Sequence, residues 1–219
     1  MKKIFFLILT LFFIISCSKN DDLIDENIVG EKIEKQKTIL ALGDSLTAGY
    51  GVDISENYPT KLEKKLLENN YNYKVVNAGI SGDTSSGLSS RVSLYLDQNP
   101  EIVIIVIGGN DGLRGLPTTE LEANILSIIE SFPSDTKIIL GGMDIPINLG
   151  LKYRNDFKNV YKNIATQKKD IYFLPYFLEG VGGVSSLNIS DKIHPNSAGY
   201  DIIVQNLYDF MIKNDILIN

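Results

Sequence analysis

From Thr38 onward the chain alternates short apolar runs with stretches whose apolar residues recur every three or four positions. The runs at 38–42, 73–77, 102–107, 137–140 and 171–174 are bounded by Gly, Asn, Asp or Pro, so each is predicted to be a β-strand. Helical spacing covers 58–68, 86–96, 119–131 and 153–166, and a last helix is expected over 195–213. Alternating strands and helices are the signature of a parallel sheet. E-I-V-I-I-V-I-G-G, at 101–109, is apolar on both alternating faces, which marks a central strand covered on both sides. About 180 residues in one such pattern, without internal repeats, predict a single three-layer α/β/α domain over 38–219 around a five-stranded parallel sheet.

The first 37 residues read differently. Lys2 and Lys3 precede a twelve-residue apolar run at 4–15, shorter than the ~20 residues of a bilayer span but right for the core of a secretory signal. The run ends Ile14-Ile15-Ser16-Cys17 and resembles the lipobox of bacterial lipoproteins. That resemblance implies a signal peptide over 1–16, lipidation of Cys17, a polar tether over 17–37 and an outer-membrane lipoprotein of the cell envelope, periplasmic or surface-exposed. The alternative is an ordinary signal peptide with Cys17 as a free thiol. Lys19-Asn20-Asp21-Asp22 resembles an acidic export signal that some Gram-negative lineages use for surface lipoproteins. Cys17 is the sole cysteine, so no internal disulfide is available. The formal charge of −6 becomes −8 once Lys2 and Lys3 are removed, a balance that disfavours nucleic acid as a partner.

In open α/β sheets, ligands bind beyond the carboxyl ends of the strands, so polar residues there are the candidates for chemistry. G-D-S-L-T-A-G (43–49) follows the first strand, N-A-G-I-S-G-D-T (77–84) the second, G-G-N-D-G-L-R-G (108–115) the third, and D-K-I-H (191–194) the fifth. Ser45 stands where a hydroxyl is either a nucleophile or a helix cap. No G-x-S-x-G elbow occurs, and Asp44 cannot replace a histidine base. His194, the only histidine, is the candidate base, and Asp191 at i−3 is within reach to orient it. Pro195 suits the first position of the last helix, which places His194 at that helix's start, where the dipole disfavours imidazolium and Asp191 favours it. A histidine that merely caps the helix is the alternative. Gly108 and Gly109 let the Asn110 amide approach a bound carbonyl, and Gly82 is either a second donor through its N–H or only a turn.

GDSL around Ser45, Gly82 in SGDT, GGND around Asn110 and DKIHP with Asp191 and His194 resemble the four blocks of the SGNH (GDSL) hydrolase superfamily, in order across 38–212. NAGISGDTSSG, GGNDGLRGLP and LPYFLEGV are similar, more narrowly, to its bacterial multifunctional esterase, thioesterase and lysophospholipase (arylesterase) subgroup. The resemblance implies the flavodoxin-like fold of that superfamily, Ser45 as nucleophile, His194 as base, Asp191 as its orienter, and an oxyanion hole made by the Ser45 and Gly82 N–H groups with the Asn110 side chain. It implies no metal or cofactor, and a small acyl ester or lipid as substrate. Substrate binding is expected at Asp44, at Leu113 in the loop 112–117, and at Ile145 and Pro146 in M-D-I-P-I-N. Tyr50, Tyr153 and Phe177 are further candidates for the groove or for the core. Asp144 puts an acid beside the groove and, with the net charge, argues against highly anionic acyl-CoA. The expected reaction is hydrolysis of acyl, aryl or lysophospholipid esters, extending to thioesters. The alternatives are a carbohydrate O-deacetylase on the same fold and a non-catalytic binding lipoprotein. No G-x-G-x-x-G or phosphate loop follows the first strand, which disfavours a nucleotide binder.

Overall fold

The computed structural model of the chain describes residues 36–218. The expected signal peptide, the lipidated Cys17 and all of the tether before residue 36 lie outside the described residues. Five strands, β1 (Lys37–Gly43), β2 (Tyr73–Gly79), β3 (Ile102–Val106), β4 (Lys137–Gly141) and β5 (Tyr172–Leu174), form one parallel sheet in the order β2-β1-β3-β4-β5. This is the five-stranded α/β sheet the apolar runs predict. All five residues of β3 are buried, and each such side chain contributes roughly 1.5–3 kcal/mol by leaving water.

The helices are α1 (Ser45–Ala48), α2 (Tyr58–Glu68), α3 (Ser85–Arg91), α4 (Gly109–Leu113), α5 (Thr118–Glu130), α6 (Leu151–Gln167) and α7 (Ser197–Lys213). Each long helix turns a spaced apolar row inward: Tyr58, Leu62 and Leu66 on α2, Phe157, Tyr161 and Ile164 on α6. α2 packs against α7, α3 against α5, and α5 against α6. The connection from β1 to β2 runs one way across the sheet and that from β2 to β3 runs back. Right-handed crossovers then put the two helical layers on opposite faces and open a crevice where β1 and β3 adjoin. The register keeps that edge level, because Gly43 pairs with both Gly79 and Val106.

Two expected helices are corrected. The helix read over 86–96 is the short α3 followed by a 3₁₀ stretch, Val92–Gln98. Four serines and one glycine in Ser85–Arg91 supply little intrinsic helicity to carry it further. The last helix begins at Ser197, not 195. Asn196 is its cap, accepting the Gly199 N–H at 3.0 Å, while Pro195 forms an isolated antiparallel bridge with Asn188.

β3 hands over to α4 through Gly108, held at φ +106°. A Cβ there would lie 2.3 Å from the Tyr161 hydroxyl, which donates to the Ile107 carbonyl at 2.8 Å. Gly108→Ala is therefore expected to cost about 2–4 kcal/mol in urea unfolding, from backbone strain and the clash together. Adding Tyr161→Phe to Gly108→Ala removes the clashing oxygen, so the double variant should lose less than the sum of the two single losses.

Candidate active site

The turn after β1 presents Ser45. Gly43 makes it tight: a Cβ there would meet Thr47 Oγ1 at 2.2 Å and the Val106 carbonyl at 2.3 Å. Asp44 caps α1 by accepting the Leu46 N–H at 3.0 Å. Tyr200 on α7 donates to the Leu46 carbonyl at 2.9 Å, so the turn is tied to the last helix as well.

His194 arrives from the other end of the chain. Its Nε2 lies 2.7 Å from Ser45 Oγ, and its Nδ1 lies 2.6 Å from Asp191 Oδ2. A carboxylate accepts only, so Nδ1 carries the proton toward Asp191 and Nε2 accepts from the serine hydroxyl. Asp191 Oδ1 also accepts the Ile193 and His194 N–H groups, at 2.8 and 3.0 Å. The expectation that His194 opens the last helix is corrected here. It sits on a closed loop whose ends are joined by the Asn188–Pro195 bridge, by Ile189 N–H to the His194 carbonyl at 2.8 Å and by Asn196 N–H to the Leu187 carbonyl at 3.0 Å. The tilted ring of Tyr50 stands 4.8 Å from the imidazole.

Asn110, in α4, donates one amide hydrogen to the Asp83 carbonyl at 2.9 Å, which leaves the second free to donate into the cleft that Asn110 lines. Gly82 occupies the adjoining turn at φ +84°, its carbonyl held by Arg114 at 2.9 Å. Two groups here escaped the sequence reading. Arg91 donates to the Asp83 carboxylate at 2.8 Å, to the Ala78 carbonyl at 2.9 Å and to the Gly43 carbonyl at 3.1 Å. It thereby joins the ends of β1 and β2 to the Gly82 turn. Asp111, buried, accepts the Ser85 hydroxyl at 2.6 Å and the Ser85 N–H at 2.9 Å, fastening α4 to α3. The only signal for Arg91 was an inward-facing position on a helix that starts just after Asp83.

These groups open on a cleft of about 390 Å³. Asp44, Leu113, Ile145 and Pro146, all expected there, line it. So do Met143, Tyr176, Leu178, Arg154, Lys192 and Ile193. Tyr153 and Phe177 belong elsewhere: the Tyr153 hydroxyl donates to the Leu116 carbonyl at 2.6 Å, and Phe177 is buried against the Tyr58 ring at 5.2 Å. The acid expected from Asp144 is compensated. Arg154 binds it through two nitrogens at 2.8 and 2.6 Å, and Lys158 lies 3.2 Å away. A cation-neutralised Asp144 no longer argues against anionic substrates. Among the described residues no three His, Cys, Asp or Glu side chains converge as a metal site would require.

Two carboxyls flank the imidazole and are shifted in opposite directions. Burial pushes Asp44 from its ordinary 3.8 up to about 6, against the Leu46 hydrogen bond and the pull of His194. Partial burial also opposes the charge on Asp191, but the His194 N–H, the imidazole and the Ile193 N–H outweigh it and bring that carboxyl down to about 2. A raised folded value means that ionising Asp44 destabilises the fold, so its penalty grows as pH rises from about 4 through 6. Asp44→Asn keeps an acceptor for Leu46 without the charge. It should be more stable than the parent by up to about 3 kcal/mol at pH 8, with the gap closing toward pH 4, as read by denaturant titration at both values.

Comparison with known proteins places this geometry. Residues 41–202 match the GDSL-like Lipase/Acylhydrolase family model. Esterase TesA of Pseudomonas aeruginosa is 40% identical over 174 residues, 78% of this chain and 86% of that protein. The Escherichia coli K12 thioesterase 1/protease 1/lysophospholipase L1 is 36% identical over 178 residues, 80% and 82% of the two chains. Among solved structures, a crystal structure of TesA aligns with TM-score 0.77 and 38% identity over 83% of this chain and all of that one. The chain belongs to the GDSL-like lipase/acylhydrolase family.

Proposed function

We propose that the chain is a serine hydrolase of carboxylic esters, and the observation that carries this is the unbroken hydrogen-bond series Ser45–His194–Asp191, at 2.7 and 2.6 Å, at the edge of an apolar cleft. Ser45 Oγ attacks the ester carbonyl while His194 Nε2 takes its proton. The oxyanion that forms is stabilised by the Asn110 amide with the Ser45 and Gly82 N–H groups. His194 then returns the proton to the departing alcohol, leaving an acyl group on Ser45. Water, deprotonated by the same imidazole, releases the acid and restores the serine. Asp191, held by two backbone N–H groups, fixes the tautomer and orients the ring.

The cleft wall of Leu113, Met143, Ile145, Leu178 and Ile193 suits an acyl chain longer than acetyl. We infer acyl, aryl or lysophospholipid esters, with thioesters accepted by the same chemistry; the esterase and thioesterase/lysophospholipase names of the two relatives support the acyl, lysophospholipid and thioester part. Fluorophosphonate labelling tests the nucleophile, since the probe should be recovered on Ser45. A p-nitrophenyl ester series tests the acyl class: activity confined to acetyl would instead mark a deacetylase.

Sequence alone supports an exported, lipid-anchored form, through the apolar run at 4–15 and Cys17. In a Gram-negative host, Cys17→Ala should abolish incorporation of labelled palmitate while leaving hydrolysis of soluble esters intact.

Asn110→Ala should lower kcat by roughly 10²- to 10³-fold with an unchanged circular dichroism spectrum, the usual effect of losing one oxyanion donor. His194→Gln should lower it by on the order of 10⁴-fold or more, because no other histidine is present to act as base. Near-parental turnover in the His194 variant would end this reading.

A further inference from the structure

One wall of the cleft has no backbone ladder to hold it. Met143, Asp144, Ile145 and Pro146 follow β4 outside any strand or helix, and among the described residues no backbone-to-backbone hydrogen bond fixes them. A single carboxylate does so instead. Asp144 Oδ1 accepts the Ile145 N–H at 2.8 Å and Arg154 Nε at 2.8 Å; Oδ2 accepts the second Arg154 nitrogen at 2.6 Å and lies 3.2 Å from Lys158 Nζ. Each oxygen thus faces two donors. Arg154 and Lys158 are one turn apart on α6 and share a face. A planar guanidinium fork on a carboxylate is the most directional of the charged pairs.

The clamp leads directly to the acyl wall. Ile145 is buried and lines the cleft, and its Cγ2 lies where a Cβ on Gly112 would stand only 2.7 Å away. The same absent Cβ would meet the Phe157 ring of α6 at 2.7 Å. Leu113, the next residue of α4, is the apolar group on the adjoining stretch of cleft. The spacing between Ile145 and the 112–113 wall is therefore set by how Asp144 is docked on α6.

Resting on the esterase reading above, we propose that Arg154, with Lys158, is a positioning residue for specificity: by clamping Asp144 it fixes Ile145 and so sets the acyl-chain preference of the cleft. Arg154 lines the cleft, yet its fork is committed to Asp144 rather than to a ligand.

The test is the ratio of kcat/KM for p-nitrophenyl octanoate to that for p-nitrophenyl acetate. Arg154→Gln and Asp144→Asn should each lower it about tenfold, the equivalent of losing contact with about two methylenes. The loss should fall on KM for the octanoyl ester, because the reacting groups are untouched. Arg154→Lys, which keeps a cation but not the fork, should recover part of the ratio. Lys158→Gln, the outer contact, should give a smaller effect in the same direction. Ratios within twofold of the parent in both Arg154→Gln and Asp144→Asn would overturn the proposal, as would equal losses on both esters. Overturning it as well would be an Arg154→Gln variant that discriminates only between anionic and neutral esters of one chain length, since Arg154 would then be binding an anion. Failure of the esterase reading has a separate mark, hydrolysis that survives in Ser45→Ala.

Discussion

The chemistry turns on one contact that the fold must deliver, the 2.7 Å hydrogen bond between Ser45 and His194, residues separated by 149 positions. Closing a chain over that span costs on the order of 4 kcal/mol before any contact forms, so the bond depends on the fold rather than the reverse. The fold meets this through regular elements. Parallel pairing of β1 with β2 and β3 brings Gly43, Gly79 and Val106 to one level, and α7 lies close enough for Tyr200 to hold the Leu46 carbonyl. The last loop then needs only a short reach, and the Asn188–Pro195 bridge fixes its direction.

Around that bond, burial and hydrogen bonding act on two carboxyls in opposite senses. Asp44 is almost fully buried with one backbone donor, and burial prevails. Asp191 is a third exposed, and three hydrogen bonds to it prevail over burial. Asp191 therefore stays charged beside the imidazole, whereas Asp44, next to Ser45, ionises only as pH rises through about 6, and above that the fold carries a buried charge there.

All five strands were legible because each is a short apolar run closed by a turn residue, and the positions of Ser45, Asn110 and His194 followed from motifs that adjoin strand ends. What failed was pairwise. Asp144 read as a free acid because its partners, Arg154 and Lys158, lie ten and fourteen residues on, across a loop, where no periodicity links them. Arg91 went unread for the same reason, although it reaches carbonyls on two strands. The start of α7 was misplaced because Pro195 suits a helix's first position but is equally fit for a bridge that needs no N–H, and the better cap, Asn196, comes after it.

An aspartate follows every strand: Asp44 after β1, Asp83 after β2, Asp111 after β3, Asp144 after β4 and, at the end of the longer connection, Asp191 after β5. Five acids at one edge would repel one another if left free, yet each is bound by donors, from the next turn of chain at Asp44 and Asp191 and from a helix beyond at Asp83, Asp111 and Asp144. Asp83 holds Arg91, Asp111 holds Ser85, Asp144 holds Arg154, Asp191 holds His194, and Asp44 holds the N–H of Leu46. The reason lies in the backbone. Parallel strands end in segments that no ladder continues, and the carboxyl edge is where ligands must bind, so those segments cannot be packed over. A short side chain with two acceptor atoms can bind a backbone N–H or a distant cation without filling the crevice. Acidity at this edge is thus the means by which irregular backbone is held in place, and only at Asp191 is the same device turned directly onto the imidazole that meets the serine.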